Sequence, residues 1–203
     1  MNNYEFETKY YDQGIKYIAG VDEVGRGPLA GPVVAAAVIM PKGFYIEGIT
    51  DSKKLSEKKR NLFEEQILKN ALSVGIAFIS EKVIDEINIY EASRKAMIEA
   101  ISKLQVKPEI VLVDAMPMNI DIPTESIIKG DEKSFMIACA SIVAKQARDR
   151  FMDELGKQYP QYGFEKHKGY PTKYHLEAIK THGVLDIHRK TYKPVQVLID
   201  KGN

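Results

Sequence analysis

Residues 17–40 read YIAGVDEVGRGPLAGPVVAAAVIM. The run Tyr17–Val21 is apolar and stops at an acidic pair, Asp22-Glu23. A turn rich in glycine and proline follows, and Val33–Met40 is then apolar without interruption. Short unbroken apolar runs of this kind are strands buried on both faces. The segment joining them is too short to hold a crossover helix, so the sheet they belong to is mixed rather than all parallel.

Working outward, Val74–Ile79 reads as a third strand, Ile110–Val113 as a fourth that ends at Asp114, and Ser126–Ile128 as a further one leading into Lys129-Gly130-Asp131. Ser56 opens a helix whose apolar positions are Leu62, Phe63, Ile67 and Leu68. Ser80 caps a short helix around Val83–Ile87, and Tyr90–Leu104 carries Ala92, Ala96, Met97, Ala100, Ile101 and Leu104 on one stripe. Lys133–Tyr159 is a long, mostly helical stretch in which Ala138, Ala140, Ala144 and Ala147 permit close packing, and Pro160 stops it. Pro171-Thr172 opens a last clear helix, which runs to His182 and closes at Gly183. Strands and helices in this order define an α/β fold. The expected organisation is a single domain over 1–203, with a core of about 15–160 and a small helical or loop-rich extension over about 161–203.

The 203 residues, 44% hydrophobic and 28% charged, suffice for a buried core without a staple. Cys139 is the one cysteine, which excludes an internal disulfide and a CxxC zinc site. No apolar stretch approaches a membrane span, and Met1–Gly14 is polar with both charge signs, unlike a secretory leader. A cytoplasmic location is expected. The net charge of +1 conceals an asymmetry: residues 129–203 hold 14 basic and 9 acidic side chains, all four histidines and five of the eleven tyrosines. A basic, tyrosine-bearing end is either a phosphate-facing surface or an ordinary solvated face.

The acids carry more information. Asp22 and Glu23 follow one buried strand, Asp114 follows another, and Asp131 follows a third across Lys129 and Gly130. Strand ends at one rim of an open sheet are where such folds bind ligands. Carboxylates crowded there repel unless a cation neutralises them, and an all-oxygen donor set suits Mg²⁺ or Mn²⁺ rather than zinc. The natural chemistry is phosphoryl transfer with two metal ions. A single acid reads more simply as a cap or a solvated turn, and Asp131 before a helix looks like an N-cap; four acids at three strand ends leave the two readings balanced. The loop Val24–Pro32 is neither a Walker A loop nor a dinucleotide fingerprint. Gly25 and Gly27 let backbone approach a ligand closely, Arg26 offers a cationic fork, and backbone donors here can read a sugar hydroxyl; a tight turn is the plain alternative.

The blocks Asp22–Pro32, Asp51–Leu55, Val113–Ala115, Lys129–Asp131, Ala140–Lys145 with Arg148–Arg150, His167–Thr172 and His188–Lys190 occur in an order that closely resembles the ribonuclease HII family, over about residues 17–193. The sister type, ribonuclease HIII, fits less well, because its glycine loop lacks the Gly-Arg-Gly of residues 25–27. The resemblance implies a ribonuclease H-like fold, a five-stranded mixed sheet flanked by helices with a small C-terminal helical extension. It implies an endonuclease that cuts the RNA strand of RNA–DNA hybrids and cuts 5′ of ribonucleotides embedded in duplex DNA, leaving 3′-hydroxyl and 5′-phosphate ends. It assigns Asp22, Glu23, Asp114 and Asp131 as catalytic metal ligands for two Mn²⁺ or Mg²⁺ ions. Gly25, Arg26 and Gly27 resemble the reader of the 2′-hydroxyl, and Tyr170 the ring that packs on the following deoxyribose. Lys53 and Lys54 would touch phosphates, and Ser141 and Lys145 complete the expected substrate set. Arg148 and Arg150 read as readily as solvated helix charges, and His167 and His188 as structural hydrogen-bonding groups. Some family members end in a sliding-clamp motif with paired aromatics; Gln196–Asn203 lacks them, so no clamp binding by that motif is expected. A monomer is expected. The competing readings are a DNA nuclease of the same fold, a binding module with degenerate acids, and a small-phosphate hydrolase.

Overall fold

The computed structural model describes residues 3–202; residues 1, 2 and 203 and the side chains of 201 and 202, which include the ends of both terminal segments read above, lie outside that description. Five strands, β1 (Ile18–Val24), β2 (Val33–Ile39), β3 (Ser73–Ile79), β4 (Ile110–Asp114) and β5 (Thr124–Ile127), form a sheet in the order β3-β2-β1-β4-β5. β2 pairs antiparallel with both β1 and β3, whereas β1–β4 and β4–β5 are parallel. The short glycine loop forces the first arrangement, and the intervening helices permit the second. Val21 is level with Val113, and Asp114 with Ile127, so the carboxyl ends of three parallel strands meet at one rim.

Helices cover both faces: α1 (Glu5–Asp12), α2 (Glu57–Asn70) and α5 (Phe135–Gln158) on one, α3 (Glu81–Ser102) on the other. The alternation of β2 between the two faces, Val34, Ala36 and Val38 against Val33, Ala35, Ala37 and Ile39, explains why all seven residues are buried. Small side chains bring α5 down onto the sheet. A Cβ on Gly20 would lie 2.0 Å from the Met136 carbonyl carbon, so β1 and α5 touch backbone to backbone. The short α4 (Gly130–Lys133) precedes α5, and α6 (Phe164–His167), α7 (Lys173–His182) and α8 (Lys193–Gly202) form the C-terminal extension. Its apolar cluster, Tyr162, Phe164, Ala178, Ile179 and Val195, packs on Met152 and Leu155 of α5 and on Leu29 and Ala30 of the glycine loop.

Several expectations shift in detail. The two helices around Val83–Ile87 and Tyr90–Leu104 are halves of α3, broken at Asn88 (φ 67°), whose side-chain oxygen accepts from the N–H groups of Tyr90 and Glu91. Ser80 starts α3 without a side-chain capping bond. In α2, Phe63 and Ile67 are buried while Leu62 and Leu68 stand half exposed, so the packing stripe is narrower than the sequence suggests. The stretch Lys133–Tyr159 divides at Ser134, whose hydroxyl accepts from the Ile137 N–H and donates to Glu7 of α1. Four helices escaped the sequence reading: the single turns α4 and α6, and two longer ones. Of these, α1 is anchored by the buried carboxylate of Glu7 rather than by an apolar stripe, and α8 starts beside Pro194 in a tail of mixed polarity.

Candidate active site

The rim gathers the acids from separate parts of the chain. Asp22 and Glu23 end β1, Asp114 ends β4, and Asp131 stands in the first turn of α4. The bend that delivers Asp131 is made by Lys129 in a left-handed conformation (φ 57°) and by Gly130, whose N–H donates to Asp114 Oδ1 at 2.7 Å. Asp131 is not the N-cap of α4; that position belongs to Lys129. Asp22 is 6% exposed and Asp131 8%. Burial, then the charges of Glu23 and Asp114, push the Asp22 carboxyl well above its ordinary value, opposed by a hydrogen bond from Ser141. Burial also raises Glu23, against the pull of Arg26, whose guanidinium lies 3.5 Å away. Asp131 is pushed up to about 6 by burial, then by Asp114 and Asp51.

Crowding of this kind is costly for the bare protein, and a hard divalent cation relieves it. Among the described residues no three His, Cys, Asp or Glu side chains are drawn around a single point. The all-oxygen donors and their mutual repulsion fit divalent Mg²⁺ or Mn²⁺.

The 3₁₀ turn Ser52–Lys54 closes one side of the rim. Burial opposes the charge on Lys53, yet the carboxylates of Asp51, Asp22 and Asp131 hold its ammonium above the ordinary lysine value. Ser52 and Ser141 share a buried hydrogen bond of 3.0 Å, which connects this turn to α5 beneath Asp22. Lys54 points away to Glu132 at 2.9 Å.

The glycine loop forms the other side. Gly25 takes φ 97°, a conformation open to glycine, and a Cβ there would lie 2.3 Å from Arg148 Nε. The Tyr170 ring covers Gly27, where a Cβ would meet it at 3.5 Å, and the ring remains 40% exposed. The loop and the tyrosine segment are bonded directly, Leu29 N–H to Gly169 O at 2.7 Å. Arg148 is buried below both, donating to the carbonyls of Pro32, Ala30 and Lys168, and burial, then the charge of Arg189, pushes it down to about 10.

Three histidines support Tyr170 from behind. The Leu185 N–H donates to His188 Nδ1 (2.9 Å), which leaves His188 Nε2–H to donate to His175 Nε2 (3.1 Å) and His175 Nδ1–H to donate to the Tyr170 carbonyl (3.0 Å). This chain runs in one direction with both rings neutral. Burial pushes His175 and His188 each down to about 4. His167 bonds Tyr162 O and Gly169 N–H. The ring nitrogens of these three histidines are thus engaged in bonds within the fold.

Asp22, Glu23, Asp114, Asp131, Lys53 and Ser141 are thus brought together, with Gly25, Arg26, Gly27 and Tyr170 alongside. Lys145 stands apart, in a groove with Arg60, Asn61 and Lys168, where it pairs with Asp149. Arg150 forks onto Glu64. Sequence reasoning missed Asp51, a fifth carboxylate beside Asp131, and Arg189 with Tyr192. The blocks Asp51–Leu55 and His188–Lys190 pointed to Asp51 and Arg189; nothing local marks Tyr192.

Fold and rim together define the class, a ribonuclease H-like nuclease. The family model for ribonuclease HII matches residues 19–195. A ribonuclease HII of Bacillus cytotoxicus is 58% identical over 195 residues, 96% of this chain and 75% of that protein. The ribonuclease H2 of Pyrococcus horikoshii superposes with a TM-score of 0.78 at 26% identity, covering 91% of this chain and 98% of that one. A ribonuclease HIII solved with Mn²⁺ shares the fold at a TM-score of 0.70 and 15% identity, covering 93% of this chain and 70% of that one. The chain belongs to the ribonuclease HII family and is a ribonuclease H-type enzyme. No helix among the described residues is long and apolar enough to cross a membrane.

Proposed function

We propose that this enzyme, acting as a cytoplasmic monomer, cuts the RNA strand of RNA–DNA hybrids and cuts 5′ of single ribonucleotides embedded in duplex DNA. The observation that carries the reading is the adjacency of the acid rim to a glycine loop covered by an aromatic ring. Asp22, Glu23, Asp114 and Asp131 would hold two Mg²⁺ or Mn²⁺ ions. Such ions, when bound, supply an activated water and neutralise the leaving oxygen of an in-line displacement, consistent with 3′-hydroxyl and 5′-phosphate products.

The protein's own groups do the rest. Ser141, bonded to Ser52 at 3.0 Å, favours the charged form of the Asp22 carboxyl beside it. Among the described residues the N–H groups of Gly25, Arg26 and Gly27 have no partner within the protein, which leaves three donors for a sugar hydroxyl. Tyr170 presents its ring edge where a sugar lacking a 2′-hydroxyl fits best, so loop and ring together select an RNA-to-DNA junction. Lys53 brings a cation against the phosphate backbone, which fixes register without reading sequence. Lys54 and Lys145 would add phosphate contacts by exchanging their present carboxylate partners. The tail reads as lacking a clamp-binding motif.

The deciding experiment uses a labelled DNA duplex with one ribonucleotide, with and without Mg²⁺ or Mn²⁺, beside an all-DNA control. Metal-dependent cutting only 5′ of the ribonucleotide is expected. Cutting of a long hybrid alone discards the junction reading, and cutting of the all-DNA duplex overturns the sugar reading entirely.

A further inference from the structure

Arg189 is fully buried, and no carboxylate bonds it. Its five N–H groups are all used. Nε donates to Gly31 O (3.0 Å), Nη1 to Arg26 O (2.9 Å) and the Tyr192 hydroxyl (3.0 Å), and Nη2 to Gly25 O (2.6 Å) and Gly31 O (2.9 Å). Tyr192 closes the ring by donating its own hydroxyl to Arg26 O at 2.6 Å. One guanidinium thus collects three carbonyls of the glycine loop from the side away from solvent. A buried cation whose donors are all spent on three loop carbonyls and one phenol fixes the direction of that loop as well as filling space.

We propose that Arg189, seconded by Tyr192, is the positioning residue that gives the enzyme its ribose selectivity. A peptide plane whose carbonyl is held inward must turn its N–H the other way. By holding Gly25 O and Arg26 O, the guanidinium aims the N–H groups of Arg26 and Gly27 outward, toward the face under Tyr170. Both of those residues are exposed, and neither N–H has a partner among the described residues. The fork geometry matters: a lysine ammonium at this depth cannot span carbonyls six residues apart in sequence and a phenol at the same time. The inference deepens the sugar-reading role proposed for the loop and rests on it.

The test measures, in EDTA so that nothing is cut, the affinity for a duplex with one ribonucleotide and for the same duplex in all-DNA form. Wild type, Tyr192→Phe and Arg189→Lys are compared well below their unfolding temperatures. Wild type is expected to prefer the ribonucleotide. Arg189→Lys should erode that preference about tenfold and Tyr192→Phe about threefold, the size of one or two lost hydrogen bonds, while all-DNA affinity stays within about twofold. A general loss of fold would weaken both duplexes equally and leave the ratio unmoved. A wild-type ratio retained in Tyr192→Phe overturns the proposal, and that variant decides if Arg189→Lys does not fold. No preference in wild type would instead sink the sugar-reading role itself.

Discussion

The two sides of the cleft bury charge in opposite ways. At the rim, Asp22 and Asp131 are buried among other carboxylates, and burial and that company make them hold their protons more tightly. Beneath the glycine loop, Arg148 and Arg189 are buried with no carboxylate bonded to either, yet every guanidinium nitrogen donates to a carbonyl. The rim sets like charges against one another. The arginine side is finished, and its charge is used to set backbone direction. The contrast separates a group that works by binding something from a group that works by holding something.

Substitution at the rim should produce the largest effect. Asp22→Asn, Glu23→Gln or Asp114→Asn is expected to lower turnover by about 10³-fold or more while hybrid affinity survives, and Asp22→Asn should raise the unfolding temperature of the metal-free protein. Wild-type turnover in any of them would remove that acid from the site. The arginine side should respond with the opposite sign in stability. Arg148→Met leaves three buried carbonyls without donors and should cost about 2–4 kcal/mol in denaturant unfolding. A neutral result would mean that water replaces the guanidinium.

Tyr170→Ala sharpens the comparison within the substrate face. Its kcat/KM at one embedded ribonucleotide should fall about tenfold further than on a uniform hybrid, or ~1.4 kcal/mol of selectivity. Equal losses on both substrates would end the junction role. The smallest effect concerns pH. His175 and His188 titrate near 4 in the fold against 6.5 ordinarily, so the unfolded chain binds more protons between those values. The stability they confer is complete above about 6.5 and is lost as pH falls toward about 4. Asp131, raised to about 6, acts in the other sense over part of that range, since its folded form gains a proton first, and Asp22 and Glu23, also raised, act with it. Between pH 7.5 and 4.5 the melting temperature of the metal-free Asp131→Asn protein should therefore fall relative to wild type as pH drops, and that of His188→Gln should rise relative to wild type.

What was legible follows from the range of the interactions. Strand runs such as Val33–Met40 and the acids at their ends are local signals, so the sheet, the rim and the glycine loop could be read from sequence. The break in α3 was legible too, as the gap between the helices read around Val83–Ile87 and over Tyr90–Leu104, where Asn88 takes a left-handed turn. Arg148 looked like a surface charge on α5, since the acceptors that bury it come from residues 30, 32 and 168. That Lys145 pairs with Asp149, one helical turn on, in a groove shared with Arg60, Asn61 and Lys168 was likewise not readable from the sequence. Glu7 was unreadable for the same reason: its partners, Ser134 and Met136, lie more than 120 positions away.

The reach of Arg189 also sets an order in time. Its bond to Gly25 spans 164 residues, whereas all four rim acids are present once residue 131 has been added. Proteins are made from the amino end and fold as they emerge. A growing chain therefore holds all four rim acids well before it holds the guanidinium that gathers the glycine-loop carbonyls.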